Sequence, residues 1–531
     1  MSGTTISPAS LQNAVASRPQ FPQVGSLPRR ELIAVIAATG LALALCLIDL
    51  GSRSLWLDEF FSAFTARMSG ESVWHAITVD RGNFMGYYAL LHVWVLAFGW
   101  APFALRLPSA LAQTALVPVV FFLGRRGGGP RVGLVACLLV AVSPPLVVWA
   151  QQARGYSIAV LGVSFTWLML LRLQNAPTRK RYVIFCVVAV VTTYFLLTAS
   201  LVIAAGFAWF YLASPSGRAK AKVLVSAVVY IVGCLPLALI VQTGGFGERA
   251  RAMIGWVAAP TWASARSLMS ELSSGSVPDF FPPHVENAVL TGMVLLCWGT
   301  AVVLLLRRRR RGCAHETVIA QIPAGFVFWL VIPVILDWLI SEVSGHSIFG
   351  TSFLLPVVSG GLLLAADALG SISWRAGTIA GVVILVGLSL AVLIPTYGVS
   401  NENWKGAAAF LLTAAHPGDC VAFDAPSGVR EFAYYVNEMH ADEAYPRPIF
   451  PSQTWAQALA ASVPYSQHTD YTPSALSQVH RNCVRVWMIV NRSHSDFGFA
   501  EAEVAYALGS KYHQTSHYGF TAINVDLISK R

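Results

Sequence analysis

The sequence predicts an α-helical polytopic membrane protein of about eleven spans, followed by a small extracytoplasmic α/β domain. Three observations predict it. Of the 531 residues 55% are hydrophobic and only 12% charged, with a mean hydropathy of +0.60; soluble domains carry about 25% charge. Apolar runs close to the roughly 20 residues needed to cross hydrocarbon recur as far as Pro395. The basic residues behind the net charge of +10 stand in short clusters between those runs. That is a topogenic pattern, and it excludes a nucleic-acid binder.

Taken in order, residues 1–28 are rich in Ser, Pro, Gln and Ala and read as a disordered cytoplasmic tail without a cleavable signal peptide. Spans are expected at 31–50, 105–124, 131–149, 156–173, 182–198, 200–213, 223–241, 287–306, 318–341, 352–369 and 376–395. With these spans every Lys/Arg cluster falls on one side, at 29–30, 125–131, 172–181, 218–222, 307–311 and 374–375. Positive-inside makes that side cytoplasmic. The membrane domain is then 29–395, with outer loops 51–104, 151–155, 242–286 and 342–351. Segment 86–100 is apolar but short and carries His92, so it reads as a juxtamembrane helix against the outer leaflet.

After Pro395 the composition turns polar, and residues 396–531 hold seven of the twelve histidines. WKGAAAFLLTAA reads as a helix, His416-Pro417-Gly418-Asp419 as a turn, and CVAFDA, VRVWMIV and AINVDLI as buried strands. Parity places this domain outside the cytoplasm. Of the eight cysteines, Cys420 and Cys483 alone lie in this polar region, each opening a predicted strand. If the strands are parallel neighbours in register, the two thiols start side by side, and outside the cytoplasm they can oxidise. No cysteine spacing fits a zinc or haem site.

The residues that can carry chemistry concentrate in the outer loops. SLWLDEFFSAF sets two carboxylates, Asp58 and Glu59, among Trp56, Leu57, Phe60 and Phe61. A desolvated carboxylate needs a partner or a proton, so an idle acidic pair is costly there. The plain alternative is a polar cap on an interfacial helix with aromatic anchors. Adjacent helix positions do not share a face, so the base is assigned to Asp58, and Glu59 takes an acceptor-orienting or structural role. Arg106 and Arg154 suit a phosphate, against snorkelling as the bland reading. Arg249 and Arg251 lie in one loop with Trp256, and the loop suits a polyprenyl phosphate. Trp56, Tyr87, Tyr88, His92 and Trp256 are candidate acceptor or lipid contacts. For His92, packing with one satisfied nitrogen is the simpler reading.

The order LWLDE, YYALLHVWVLAFG, ALRLPSAL and SPPLVVWAQQARGYS resembles the GT-C membrane glycosyltransferases. It is nearest the branch of protein O-mannosyltransferases, aminoarabinose transferases and their bacterial relatives, and MIGWVAAPTW and NWKGAAAFLLTAAHPGDCV resemble later landmarks of those relatives. The resemblance implies a polyprenyl-phosphate sugar as donor, a glycan, lipid or protein acceptor, and membrane lipids as surroundings. It implies Asp58 as base, Glu59 as the acid after it, and Arg106, Arg154 and Tyr156 at the donor phosphate. Two departures stand out. Gln151 and Gln152 precede Arg154 where relatives carry an acid, so a divalent metal site finds no support. Ser352 and Phe353 stand where relatives carry Arg-Tyr, leaving His346, Arg249 or Arg251 to substitute.

The expectation is therefore a membrane glycosyltransferase acting on the outer face with inversion. The competing class is a transporter or flippase. Against it, no repeated halves occur, and the acids of the spans (Asp49, Asp337 and Glu342) lie mostly near outer ends.

Overall fold

The computed structural model describes residues 27–68, 73–74, 83–175, 177–214, 216–243, 257, 259–275, 284–310, 314–345, 347–423, 428–439, 446–450, 454–460, 483, 485–492 and 512–530. The expected tail 1–28 lies outside the described residues except for Leu27 and Pro28, as do Arg249, Arg251, Trp256 and His346.

The helices of the membrane domain are α1 (Arg29–Leu47), α2 (Leu57–Arg67), α3 (Met85–Phe98), α4 (Pro102–Gly128), α5 (Pro130–Ala141), α6 (Pro144–Ala150), α7 (Tyr156–Asn175) and α8 (Arg179–Phe195). They continue with α9 (Ala199–Ala213), α10 (Gly217–Thr243), α11 (Trp262–Ser274), α12 (Val285–Arg310), α13 (Ala314–Ser344), α14 (Thr351–Gly370, with a 3-10 turn at Leu355–Val357) and α15 (Arg375–Leu393). Each of the eleven expected spans falls on a helix. Among the described residues eight are long and apolar enough to cross a membrane, and α5 with α6, bent by 50°, makes a ninth. The other two, α8 and α9, have 17 and 15 residues. At 14 residues α3 spans about 21 Å, short of a bilayer core of about 30 Å.

Proline and glycine punctuate the bundle. α4 and α5 each carry Pro in the first turn, and Gly129 between them has a φ of +87°, open to glycine at no cost. α4, α7 and α14 form the centre; α10 and α15 present most of their surface outward, with Leu224, Val228, Ile231, Leu235 and Leu239 exposed along α10. Lipid is as apolar as leucine, so such a face is at rest in a bilayer. The centre holds a stack of three indoles, Trp209, Trp167 and Trp329, with centroids 5.5 and 4.9 Å apart. Trp209 and Trp329 donate their N–H groups to Gln321 O and Pro356 O, which satisfies them where water is absent.

The basic helix ends meet at one end of the bundle: Arg125 pairs with Glu31 at 3.0 Å, and Arg308 with Asp367 at 3.2 Å. At the opposite end sit α2, segment 151–155 and the C-terminal domain.

That domain begins with α16 (Trp404–Ala414) and continues through β1 (Cys420–Phe423), α17 (Gly428–Glu438), β2 (Arg447–Phe450), α18 (Trp455–Ala460), β3 (Arg485–Asn491), β4 (Tyr512–Phe520) and β5 (Ile523–Lys530). The sheet order is β2-β1-β3-β5-β4, with β1 parallel to both neighbours and β5 antiparallel to β3 and β4. Cys420 pairs in register with Val486, which brings Cys483 alongside, and the two cysteines form a disulfide with Cα atoms 5.9 Å apart. The turn before β1 uses Gly418 at φ +91°, and Asp419 Oδ2 accepts from His416 N, Arg485 Nη2 and Trp487 Nε1.

Candidate active site

α2 begins one residue after an extended Trp56, so Asp58 and Glu59 occupy its first turn. Successive helix positions diverge by about 100°, and the two carboxylates part. Glu59 turns inward and is 1% exposed. Its Oε1 and Oε2 accept from Arg106 Nε and Nη2, each at 2.7 Å, and Oε1 also accepts from Ala153 N at 2.8 Å. Arg106 then donates to Leu50 O and Arg53 O through Nη1 and to Ser54 O through Nη2. A guanidinium has five N–H donors, and all five are spent within the protein. Arg106, expected at the donor phosphate, knots the chain that leads into α2 to α4 and, through Glu59, to segment 151–155.

Asp58 turns the other way. Its side chain is 32% exposed, and Oδ2 lies 3.4 Å from Arg154 Nη2. Arg154 Nη1 donates to Tyr88 Oη at 3.1 Å, and its guanidinium stands 4.5 Å from the Phe84 ring and 5.9 Å from that of Tyr156. Ser109 Oγ fixes the Arg154 carbonyl at 2.9 Å. The next residue is glycine for lack of room: a Cβ on Gly155 would lie 2.7 Å from Phe84 Cδ1 and 2.9 Å from Phe195 O. Phe84 itself has a φ of +58°, an unusual conformation for a bulky residue. The pair is thus a cation wedged among aromatic rings beside a partly open carboxylate.

Gln151 fills a structural office. Its Nε2 donates to Ile48 O at 2.7 Å and its Oε1 accepts from Arg53 Nη2 at 3.0 Å, tying the end of α1 to the loop. Burial, then the neighbouring charge of Arg106, pulls the Arg53 guanidinium down to about 10.

Of the expected acceptor and lipid contacts, Trp56, Tyr87, Tyr88 and His92 lie among the described residues. Tyr87 and Tyr88 are fully buried, Tyr88 on Arg154, because the outward face of α3 is taken by Leu90, Val93, Leu96 and Phe98. His92 Nδ1 bonds Ala66 O at 2.8 Å and holds α3 to the last turn of α2. Trp56 is half-buried at the start of α2. Tyr156 is buried edge-on to Phe84 and Trp149. Among the described residues no group of three His, Cys, Asp or Glu side chains is arranged to hold a metal ion.

Residues that sequence reasoning did not nominate complete the site. Tyr435 on α17 accepts Leu55 N at 2.7 Å and Ser54 Oγ at 3.2 Å, and Tyr434 donates to Trp100 O at 3.1 Å. Ser400 Oγ accepts Ser54 N at 3.1 Å. The C-terminal domain thus grips the strand of chain that leads into α2.

No family model matches the chain, and no curated protein matches it. Solved structures do. ArnT from Cupriavidus metallidurans in the apo state superposes with a TM-score of 0.54 at 13% identity, over 93% of this chain and 98% of that one. The same enzyme bound to undecaprenyl phosphate gives 0.53 at 12%, over 93% and 97%. The archaeal oligosaccharyltransferase AglB from Archaeoglobus fulgidus gives 0.46 at 14%, over 94% and 74%. At such identities a full-length superposition speaks for the fold. The apolar bundle, the acidic helix after the first span and the α/β domain above it therefore make this chain a polytopic membrane protein of the GT-C fold.

Proposed function

We propose that the chain is a glycosyltransferase of the cell membrane. It moves a sugar from a polyprenyl-phosphate carrier to an acceptor hydroxyl, at the outer face and with inversion. The observation that carries this reading is the Asp58–Arg154 pair, a partly open carboxylate 3.4 Å from a buried guanidinium. The likeness to ArnT, solved with undecaprenyl phosphate, supports it.

Asp58 takes the proton of the acceptor hydroxyl as that oxygen attacks the anomeric carbon. The bond from that carbon to the phosphate oxygen breaks, and the electron pair leaves with the carrier phosphate. Arg154 stabilises the charge that grows there, and a bidentate guanidinium suits a phosphate. One base and one displacement suffice, without a covalent intermediate. Arg106, with its donors spent, positions Glu59 and the loop; Arg249, Arg251 and His346 are the further candidates for the phosphate. Positive-inside puts the basic helix ends and the N-terminus in the cytoplasm, and α2 and residues 396–531 outside.

The test offers purified protein in lipid a panel of polyprenyl-phosphate hexoses and pentoses, with glycan, lipid and peptide acceptors. Transfer of one sugar with inverted configuration is expected. Binding of every carrier without transfer, together with carrier movement across the membrane, would instead favour a flippase.

A further inference from the structure

The helix that carries Asp58 has no cap of its own. Trp56 stands at its N-cap and makes no side-chain hydrogen bond to the first turn. The first N–H groups of a helix have no partner within it, and a buried one left without an acceptor is costly. The partner comes from the far end of the chain. Glu402 Oε2 accepts Leu57 N at 3.2 Å, across 345 residues. The same oxygen accepts Trp404 Nε1 at 2.7 Å, and both Glu402 and Trp404 are 1% exposed. Trp404 opens α16, where Asn403 is a conventional cap, its side chain accepting Gly406 N at 2.9 Å. Glu402 is therefore held rigidly by the C-terminal domain and delivers a carboxylate to the positive end of α2, where the helix dipole favours it.

We infer that Glu402 is a positioning residue for the transfer reaction, acting through Leu57 to fix the first turn of α2 and so the direction of Asp58. This inference rests on the proposed role of Asp58. Leu57 precedes Asp58 directly, and the carboxylate of Asp58 reaches Arg154 at 3.4 Å, a distance a small rotation of the first turn would lengthen. Ser54 and Leu55 are already fixed by Ser400 and Tyr435, so Glu402 supplies the last restraint before the base. The C-terminal domain thereby becomes a part of the active site without touching substrate.

The experiment compares Glu402→Ala and Glu402→Gln with wild type in nanodiscs. It measures sugar transfer per folded molecule, KM for the donor, thermal unfolding, and hydrogen exchange at the Leu57 amide. Gln keeps an acceptor oxygen and Ala does not. Glu402→Ala is expected to lose about ten- to a hundred-fold in kcat, the usual consequence of a displaced catalytic group. Its donor KM should stay put, its Leu57 amide should exchange about tenfold faster, and Glu402→Gln should restore both readouts. Equal kcat in all three proteins, or an Ala loss that merely follows the unfolded fraction, overturns the inference. So does unchanged exchange at Leu57 in Glu402→Ala. Wild type that transfers no sugar from any donor refutes the proposed function separately. The exchange readout then still decides whether Glu402 caps α2.

Discussion

Asp58 and Glu59 are neighbours in sequence and opposites in setting, and their variants should differ accordingly. Asp58→Asn keeps the shape but cannot take a proton. Loss of general-base help costs on the order of a hundred- to ten-thousand-fold in rate, so turnover should nearly vanish while donor binding persists; near-normal turnover in lipid sinks the mechanism. Glu59→Gln should act on stability first. Breaking a buried ion pair by removing one charge costs about 3–5 kcal/mol, and one Arg106 donor would be left facing the amide N–H of Gln instead of an acceptor, so thermal unfolding should drop sharply. Arg154→Lys should keep the fold and weaken donor use, being a point charge without a fork; unchanged donor KM and kcat would reduce Arg154 to a packing residue. The divergence of the two acids was legible beforehand, because adjacent helix positions cannot share a face. The saturation of Arg106 was not. Three of its five acceptors are the carbonyls of Leu50, Arg53 and Ser54, and a backbone carbonyl leaves no mark in a sequence.

Among the elements, α13 and the C-terminal sheet make separate claims. Asp337 on α13 is fully buried, and among the described residues neither of its carboxylate oxygens has a hydrogen-bond partner. An acid kept uncompensated in a span is expensive, and such residues mark function more often than architecture. Asp337→Leu should therefore unfold at higher temperature than wild type. A simultaneous loss of sugar transfer would expose a trade of stability for activity, whereas a lower melting temperature would contradict the isolation of the carboxylate. In the C-terminal domain the disulfide closes a separation of 63 residues. Removing both cysteines should cost roughly 2–4 kcal/mol, checked by denaturant unfolding of Cys420→Ala/Cys483→Ala. The apolar segments announced their helices because lipid-spanning runs are long and unmistakable. β1, β3 and β5 showed as short apolar runs. β4, Tyr512–Phe520, did not: it is an edge strand exposed along most of its length, so nothing forces its residues to alternate. α17 also escaped, since its buried face includes Arg430 and Glu431.

For the whole molecule, topology is the first claim to check. A reporter active only in the cytoplasm should stay silent when fused after Arg531, and its activity would invert the assigned sidedness. A second check is pH. Glu431 is 3% exposed, and burial, then the charge of Glu402, with Arg430 opposing, holds its carboxyl well above the ordinary range. The folded state thus binds this proton more tightly than the unfolded one. Its contribution to stability is whole below the ordinary carboxylate range and is lost as the pH rises through the raised folded value. Glu431→Gln should accordingly melt at a higher temperature than wild type near neutral pH and lose that advantage in acid; a constant difference at all pH values would contradict the assignment.

Ser54 and Tyr435 touch across 381 residues. A ribosome delivers the first of these long before the second, and the membrane receives the helices in that order. Until the C-terminal domain is made, the segment ahead of Asp58 is threaded but lacks its contacts with Ser400, Glu402 and Tyr435, while the Glu59–Arg106 and Asp58–Arg154 pairs can already form. The C-terminal domain is made after the helices, so the chain that leads into α2 is latched only once that domain has folded.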